Sequence, residues 1–371
     1  MRRAARARID LSALRHNLRV VRDAAPGSRI MAVVKAEAYG HGMLEVARAI
    51  AGECDGLAVS CVQEAAVLRD AGVQGGITLL QGFKDTEELE AAVHLGVRTV
   101  VHEPGQVACL MAARLTSPVA VWLKLDTGMY RLGFAPSRVR SLLQGLDDTG
   151  KVAGTPGFMT HLACADEPGR GETADQMRVF DEATAGLPGE RSIANSAAIL
   201  AVPEAHRDWV RPGIMLYGAS PIVSATADEL GLRPAMTVTA PVVAVKSLKP
   251  GDAVGYGASF VCTRPCRLAV VATGYGDGYP RHAPSGTPVL LHGKRCGLLG
   301  RVSMDMLAVD VTDVPDVQVG DTATLWGEGL PVDEIATAAG TISYELLCSV
   351  GGRLHTTFED DSKFNVQDSR G

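Results

Sequence analysis

The chain has 371 residues, of which 46% are hydrophobic and 5% aromatic, and its formal net charge at pH 7 is -6. This length allows a large core and predicts two domains rather than one. A mildly acidic balance without a long basic block argues against nucleic acid or an anionic membrane as the main partner, so we expect small-molecule partners.

The amino terminus, MRRAARARID, is basic and is followed by a segment that carries a charge every few residues. A secretory signal needs an uninterrupted apolar stretch here, and a membrane span needs a longer one; the sequence shows neither. The spacing of Leu11, Leu14 and Leu18 predicts an ordinary first helix, which we favour over an organelle transit peptide. We therefore expect a cytoplasmic protein.

Short apolar segments alternate with helical patterns through the first part of the chain. The helical segments, such as MLEVARAIA and DTEELEAAVHLG, have apolar residues three and four positions apart. Eight units of strand and helix predict a closed parallel (β/α)8 barrel of the TIM type over residues 1–228. An open doubly wound sheet is the alternative, but the glycine-rich dinucleotide motif is missing after the first strand. The predicted strands are IMAVV, GLAVS, ITLLQ, RTVVH, VAVWLKL, GFMTHL, RSIAN and WVRPG.

The pattern of the sequence changes beyond residue 218. Residues 219–236 mix Pro, Ser and Gly without regular spacing, which indicates a connection between domains. The segments VTAPVVAVKSL, CRLAVVATGY, TPVLLHG and MLAVDVTD then alternate apolar and polar residues between turns. They predict a mainly antiparallel β domain over residues 229–371, with one helix near VDEIATAAG or YELLCSV.

The first predicted barrel strand ends in MAVVKAEAYGHG, where Lys35 follows the apolar run directly. A lysine at the carboxyl end of a parallel strand can point into the site that the strand ends surround, which makes Lys35 a candidate Schiff-base nucleophile. A solvent-exposed lysine is the alternative at such a position. Tyr39, Gly40 and Gly42 favour the first interpretation, because they offer an anionic ligand a hydroxyl and close backbone approach.

Polar side chains also follow several of the other predicted strands. Each has an ordinary structural explanation when taken alone, such as a hydrogen-bonded core position for His161 or a solvated loop position for Arg211. Their convergence on one rim of a barrel points to a site, because packing gives no reason to gather cations there. The residues are Lys35, Lys124, Arg131, His161, Asn195, Ser196 and Arg211.

The eight cysteines indicate thiols rather than a metal centre. They show no CxxC pair, and the two that lie closest in sequence, Cys262 and Cys266, have no histidine nearby. We therefore expect reduced thiols, as in a cytosolic enzyme, and no metal site.

Taken together, the motifs resemble those of alanine racemases, which are fold type III enzymes dependent on pyridoxal 5'-phosphate. The resemblance covers nearly the whole chain, with the barrel and the β domain in the same order. It implies an enzyme that interconverts L-alanine and D-alanine and supplies D-alanine for peptidoglycan. The matching motifs are MAVVKAEAYGHG, LKLDTGMYRLGF, THLACADEP, RSIANSAAIL, WVRPGIMLYG, VGYGASF, GYGDGYPR and GRVSMDM.

The resemblance also implies roles for individual residues. Lys35 should hold the cofactor covalently and, with Tyr256, provide one catalytic base on each face of the substrate, since inversion of a carbon needs protons on opposite faces. Arg211 should face the pyridine nitrogen with support from His161. The other implied cofactor-binding residues are Tyr39, Asn195, Ser196, Gly213 and Ile214.

The same resemblance implies a homodimer with two shared sites. Tyr256, Met304 and Asp305 should reach the site of the other subunit, where Met304 and Asp305 line the substrate position together with Arg131. The position of Lys124 is that of a carbamylated lysine in many members of the family. One departure is the segment CSVGGRL, in which Gly352 stands where some members have a phosphate-binding tyrosine.

Arg211 favours racemisation among the reactions of this cofactor. A guanidinium only donates hydrogen bonds and does not deprotonate, so the ring nitrogen that it faces would stay unprotonated and the ring would be a weaker electron sink. A decarboxylase on the same barrel should have an acidic residue there. The alternatives left open are a broad-specificity or serine racemase and, in a different class, a non-catalytic pyridoxal-phosphate-binding protein, which would not need the second domain.

Overall fold

The computed structural model of the protein describes residues 5–360 and contains two sheets of eight strands, one of them a closed barrel. The strands are β1 (Arg6–Asp10), β2 (Arg29–Val33), β3 (Gly56–Val59), β4 (Ile77–Leu79), β5 (Arg98–Val101), β6 (Val121–Lys124), β7 (Gly157–Met159), β8 (Arg191–Asn195), β9 (Trp209–Arg211), β10 (Met236–Leu248), β11 (Ala253–Val254), β12 (Phe260–Val261), β13 (Cys266–Val271), β14 (Pro288–Leu291), β15 (Lys294–Leu299), β16 (Leu307–Asp310), β17 (Thr322–Trp326) and β18 (His355–Glu359).

The helices pack around and between these sheets. They are α1 (Leu11–Ala24), α2 (Lys35–Gly40), α3 (Met43–Ile50), α4 (Val62–Asp70), α5 (Thr86–His94), α6 (Pro104–Ala112), α7 (Val139–Asp148), α8 (Gly171–Thr184), α9 (Ser196–Ala201), α10 (Val332–Ala339) and α11 (Ser343–Cys348). Short 3-10 turns cover Pro136–Arg138, Pro203–Ala205, Ile214–Tyr217, Tyr256–Ala258 and Tyr275–Asp277. No helix within residues 5–360 is both long and apolar enough to cross a membrane.

Strands β2 to β9 form the barrel, each pairing in parallel with the next and β9 closing onto β2. All eight predicted strands are present, so the predicted barrel is confirmed. Most residues of these strands are apolar and buried, as expected where helices cover the outside and side chains fill the inside. The carboxyl ends of the eight strands therefore meet at one rim.

Helix α1 confirms the helix predicted from the leucine spacing. Leu11, Leu14 and Leu18 are buried on one face. The carboxylate of Asp10 accepts hydrogen bonds from the backbone N–H groups of Ser12 and Ala13 at 2.8 and 3.0 Å. This side-chain cap satisfies donors that the first turn of a helix leaves unpaired, and it fixes where α1 begins.

The second sheet has the order β13-β16-β15-β14-β17-β10-β1-β18 and is antiparallel except for the β1–β18 pair, which confirms the predicted, mainly antiparallel β domain. Residues 1–228 were all predicted to belong to the barrel domain, whereas β1 lies in this sheet between β10 and β18. Residues 219–235 contain no helix or strand, as expected of a connection. The last residues of the expected β domain, 361–371, lie outside the described part.

The second domain contains two helices where the sequence analysis expected one. Both proposed segments are helical, as α10 and α11, and Gly340 ends α10 with a left-handed φ of 70° that suits glycine.

The sulfur atoms of Cys262 and Cys266 lie 3.2 Å apart in a small apolar cluster, and all eight cysteines are free thiols. Within the described range, no three or more His, Cys, Asp or Glu side chains form a group that could hold a metal ion.

Candidate active site

A cavity of about 420 Å³ opens at the carboxyl ends of the barrel strands. Its size is in the range of small-molecule sites. All ten barrel residues that the sequence analysis assigned to the site line this cavity. They are Lys35, Tyr39, Lys124, Arg131, His161, Asn195, Ser196, Arg211, Gly213 and Ile214.

Lys35 begins a left-handed turn directly after the first barrel strand. Residues 36–39, none of them glycine, have φ values of 52 to 53°. Such a conformation costs about 1–2 kcal/mol for each residue with a β-carbon, so contacts from outside the turn must hold it. The turn places the side chains of Lys35 and Tyr39 in the same cavity. No pattern in the sequence predicted this conformation.

A buried histidine, His41, stabilises the turn through hydrogen bonds and ring contacts. The Nδ1 atom of His41 donates to the carbonyls of Ala38 and Tyr39 at 3.0 and 2.9 Å. The ring also lies against Tyr217, which stacks on Tyr39 with ring centroids 4.8 Å apart and donates its hydroxyl to the Val33 carbonyl at 2.8 Å. Burial lowers the pKa of His41 to about 4, so the ring is neutral at neutral pH.

This depressed pKa predicts that the protein loses stability in mild acid. The unfolded chain binds a proton at position 41 below about pH 6.5 while the folded chain does not, so the free energy of unfolding should fall as the pH drops toward 4, by at most about 3 kcal/mol from this group. Urea denaturation at several pH values should show a shallower pH dependence in His41→Asn, whose amide can replace Nδ1 as donor. An unchanged dependence would contradict the assignment.

Arg211 is a buried cation whose donors are bound on several sides. Its guanidinium donates to the hydroxyl of Ser192 and the carbonyl of Thr160, both at 2.6 Å, and to the carbonyl of Ile193 at 3.1 Å. Burial lowers the pKa of Arg211 to about 10, which still leaves it charged near neutral pH. The guanidinium therefore presents a fixed donor to the cavity.

His161 lies beside Arg211, with its Nδ1 atom 3.5 Å from a guanidinium nitrogen. Burial first, and then the neighbouring cations, lower the pKa of His161 well below its ordinary value. The ring is therefore neutral. Because arginine can only donate, Nδ1 faces it as the acceptor and the proton is assigned to Nε2.

Two lysines in the cavity have lowered pKa values. Burial and the charge of Arg131 lower the pKa of Lys35. Burial, followed by the charges of Arg211, Arg131 and Lys35, lowers the pKa of Lys124 to about 8. Both amines are therefore more easily deprotonated than an exposed lysine, which is a condition for nucleophilic and base chemistry.

The loop after β6 carries Arg131 to the cavity. The Asp126 carboxylate accepts from the N–H groups of Gly128 and Tyr130 at 3.1 and 3.0 Å, which closes the loop on itself. Gly133 has a φ of 135°, and a β-carbon there would lie 2.5 Å from the Asp126 nitrogen. The path of the loop thus requires glycine at position 133.

Hydroxyl and backbone groups converge on one edge of the cavity. The Ser196 hydroxyl accepts from the Gly213 N–H at 2.8 Å, which leaves its own hydrogen for an anionic acceptor. A β-carbon at Gly213 would lie 2.6 Å from the Tyr39 hydroxyl, so only glycine fits there. Asn195 caps the following helix α9 by accepting from the Ala198 N–H at 3.1 Å. This edge is suited to a phosphate or a similar anion.

Tyr344 is a cavity residue that the sequence analysis missed. It comes from α11 of the second domain, and its ring centroid lies 5.9 Å from that of Tyr39. A β-carbon at Gly40 would meet the Leu347 carbonyl at 2.1 Å, so glycine lets α11 pack on the lysine-bearing turn.

Gly352 is exposed and does not line the cavity, and the expectation that it takes the place of a cavity tyrosine is therefore wrong.

The three residues assigned to the β domain do not line this cavity. Tyr256 and Met304 expose 67% and 52% of their surface, and the carboxylate of Asp305 accepts from Arg353 at 2.6 Å. Tyr256 lies in the 3-10 turn between β11 and β12. Within a single chain, the structure therefore brings together the ten barrel residues and leaves these three at the surface of the second domain.

Fold and site together define an enzyme of the (β/α)8-barrel class, with a lysine and buried cations arranged around a cavity for a small anionic molecule. Residues 9–221 match the N-terminal domain of alanine racemase, and residues 235–358 match its C-terminal domain. The chain belongs to the alanine racemase family, whose members are isomerases.

Individual relatives are similar in sequence to this chain over nearly its whole length. The alanine racemase of Thioalkalivibrio sulfidiphilus is 66% identical over 359 residues, which cover 96% of this chain and 99% of that protein. The alanine racemase of Nitrosospira multiformis is 51% identical and covers 95% of this chain and 99% of its own length. The crystal structure of the biosynthetic alanine racemase from Pseudomonas aeruginosa superposes with a TM-score of 0.94 at 46% identity, covering 97% of this chain and all of that one.

A more distant solved structure is that of the alanine racemase from Bartonella henselae with covalently bound pyridoxal phosphate. It is 29% identical to this chain, has a TM-score of 0.85 and covers 96% of this chain and 99% of its own. The agreement in fold therefore extends to low identity.

Proposed function

We propose that the protein interconverts L-alanine and D-alanine with pyridoxal 5'-phosphate as cofactor and with Lys35 and Tyr256 as the two bases. The observation that carries the proposal is the cavity itself. One side offers an amine of lowered pKa, another offers a buried guanidinium, and a third offers the anion-binding edge around Ser196 and Gly213. An aromatic aldehyde phosphate needs these three kinds of partner.

The residues present fit the proposed cofactor. Lys35 would hold it covalently. Tyr39, Ser196 and the backbone at Gly213 and Ile214 would hold the phosphate. The Ser196 hydroxyl accepts from the Gly213 N–H and can donate its own hydrogen to the phosphate. Arg211, supported by His161 and with Asn195 nearby, would face the ring nitrogen. When bound, pyridoxal phosphate supplies an electron-accepting ring that makes the α-proton of an amino acid more acidic.

Two bases divide the proton transfers between them. Lys35 would take or give the α-proton on one face, and its lowered pKa supports this role. Tyr256 would serve the opposite face. Arg131, a cation at the cavity, would bind the substrate carboxylate, and Met304 and Asp305 would line the substrate position.

A homodimer would complete the site. Tyr256 and Met304 are large side chains at the surface of the β domain and cannot act on their own chain's cavity in the observed arrangement. A symmetric pair would place each of them on the partner's cavity. The proposal includes a division into a cofactor domain, residues 1–228 without strand β1, and a β domain, residues 229–371, which β1 joins. It also includes a cytoplasmic location and a role in supplying D-alanine for peptidoglycan.

The substrate is tested directly. The cofactor-loaded protein is incubated separately with L-alanine, L-serine, L-lysine and L-arginine, and the D-enantiomer of each is followed by chiral chromatography. We expect fast conversion of alanine alone. Comparable conversion of the longer amino acids would replace the proposal by a broad-specificity racemase, and no conversion at all would leave a cofactor-binding protein without this activity.

The anion-binding edge makes a separate prediction about cofactor affinity. Ser196→Ala should weaken pyridoxal phosphate binding by roughly 10- to 100-fold, because a hydrogen bond to a charged group contributes about 1.5–3 kcal/mol. Titration of the apo-protein with cofactor, followed by absorbance, measures this. Ser137→Ala, at an exposed serine of the 136–138 turn, is the matched control and should bind normally. Equal affinity in both variants would remove Ser196 from the phosphate site.

We also propose that Lys124 is carbamylated. Only a neutral amine adds carbon dioxide, and a pKa of about 8 leaves a substantial neutral fraction near neutral pH. The charges of Arg131 and Arg211 would stabilise the resulting anion. Protein equilibrated with 13C-bicarbonate should show a carbamate carbon by NMR that is missing in Lys124→Gln. A signal that persists in the variant, or none in the wild type, would contradict this assignment.

A further inference from the structure

Glu64 binds the lysine-bearing turn from helix α4. Its carboxylate accepts from the backbone N–H of Ala36 at 2.8 Å with one oxygen and from the backbone N–H of Ser60 at 2.6 Å with the other. Ala36 directly follows Lys35, and Ser60 directly follows the neighbouring barrel strand β3. A single half-buried carboxylate therefore joins the end of β3 to the start of the left-handed turn.

We propose that Glu64 is a positioning residue for Lys35, which it serves by fixing the backbone of the left-handed turn and by opposing the positive charges around the lysine amine. The inference rests on the proposed role of Lys35 as the residue that binds the cofactor. Glu64 itself does not line the cavity, so it would act through Lys35 and not on the substrate.

The conformation of the turn requires support from outside it. Four consecutive residues with β-carbons and φ near 52° are unfavourable locally and persist only where their surroundings determine them. Ala36 is the first of the four, and its N–H is bound by a charged acceptor, which makes a stronger hydrogen bond than a neutral one. Without this bond the turn would lose its link through Glu64 to the end of β3, and the direction of the Lys35 side chain would be less well defined.

Charged groups from several elements face Lys35. Burial and then Arg131 from the loop after β6 lower the pKa of the amine, while Glu64 from α4 and the thiolate form of Cys348 from α11 raise it. Lys124 of β6 and His161 after β7 also interact electrostatically with Lys35. Glu64 is the carboxylate in this set, and its negative charge offsets part of the cationic surroundings.

Competitive chemical labelling of the apo-protein tests the electrostatic part without requiring activity. Trace acetic anhydride is applied at a series of pH values, and the labelling of the Lys35 peptide is measured by mass spectrometry. In Glu64→Gln we expect the pKa of Lys35 to fall by roughly half a unit to one unit, which is less than the loss of a direct ion pair would cause. At pH values below this pKa, labelling of Lys35 should then be about 3- to 10-fold faster.

Glu64→Asp separates the charge from the bridge. The aspartate keeps the negative charge but is one methylene shorter, so it should not reach both N–H groups. We expect a pKa of Lys35 close to that of the wild type and covalent attachment of pyridoxal phosphate to Lys35, trapped with borohydride, that is about tenfold slower or more. If circular dichroism shows that Glu64→Gln does not fold, the rate of cofactor attachment in Glu64→Asp is by itself the test of the proposal.

Glu37→Gln is the matched control. Glu37 is exposed and lies two residues from Lys35 on the same turn. Its carboxylate accepts from the Met43 N–H at 3.3 Å. The substitution therefore removes the same charge without affecting the two hydrogen bonds of Glu64. It should leave the pKa of Lys35 and the attachment rate unchanged. An equal shift in this control, or wild-type values in both Glu64 variants, would overturn the proposal.

The outcome for Glu64 is distinguishable from the outcome for the proposed function. If the wild-type protein never traps cofactor at Lys35, the cofactor role of Lys35 fails. The labelling of the apo-protein still reports whether Glu64 controls the amine, and an unchanged pKa in Glu64→Gln then overturns the positioning role as well.

Discussion

Lys35→Ala is expected to abolish racemisation, with a loss of at least about 10⁴-fold, and to prevent covalent attachment of the cofactor. The substitution removes the nucleophilic amine and one of the two proposed bases together. Lys124, the other amine in the cavity, is a buried residue of β6 and approaches the cavity from a different strand, so it should not replace Lys35. D-alanine formation and borohydride trapping of the labelled peptide measure the two losses separately.

Two further substitutions make this result specific. Lys249→Ala removes an exposed lysine from the turn after β10 and should leave both readouts unchanged. Lys35→Arg keeps the positive charge but has no amine that can attack an aldehyde, so it should be as inactive as Lys35→Ala. Activity within tenfold of the wild type in Lys35→Ala would refute the proposed role.

Tyr256→Phe should lower turnover by about 10²- to 10⁴-fold while leaving covalent attachment of the cofactor intact. The variant retains the ring and loses only the hydroxyl that would exchange a proton on the second face. Cofactor attachment should survive because Lys35 and the anion-binding edge belong to the barrel. Retention of full turnover would leave the second base unassigned.

Mixing the two inactive proteins tests whether the site is shared between subunits. If Tyr256 acts on the partner's cavity, a hybrid of Lys35→Ala and Tyr256→Phe has one doubly altered site and one intact site. Random exchange of equal amounts should then restore about one quarter of the wild-type activity. Each variant kept alone under the same exchange conditions is the control, and no recovery in the mixture would exclude a shared site.

Much of the cavity could be predicted because its residues follow buried strands. Parallel strands of a barrel end at one rim, so residues that come just after apolar runs, such as Lys35, His161 and Arg211, must approach each other. The alternation of strand and helix is a local property of the sequence, set by apolar spacing. This explains why residues far apart in the chain could be assigned to one site before any contact was known.

Other features depend on contacts between distant segments. Tyr344 lies on α11, one of the two segments between which the single predicted helix was left open, and nothing in its spacing indicates that α11 packs on the turn at Gly40. Strand β1 is short, and its place between β10 and β18 follows from pairing with residues more than 200 positions away. A second helix was missed because both α10 and α11 are short segments beside strands.

The sequence by itself determined the barrel, the mainly antiparallel second sheet and the set of barrel residues around one cavity, because apolar periodicity and strand ends are encoded locally. Only the tertiary structure decided the left-handed turn after Lys35, the entry of Tyr344 and the lowered pKa values of Lys35 and Lys124. The physical reason is common to all three. A disfavoured backbone conformation, a contact between domains and the desolvation of a charge exist only when distant parts of the chain surround the group.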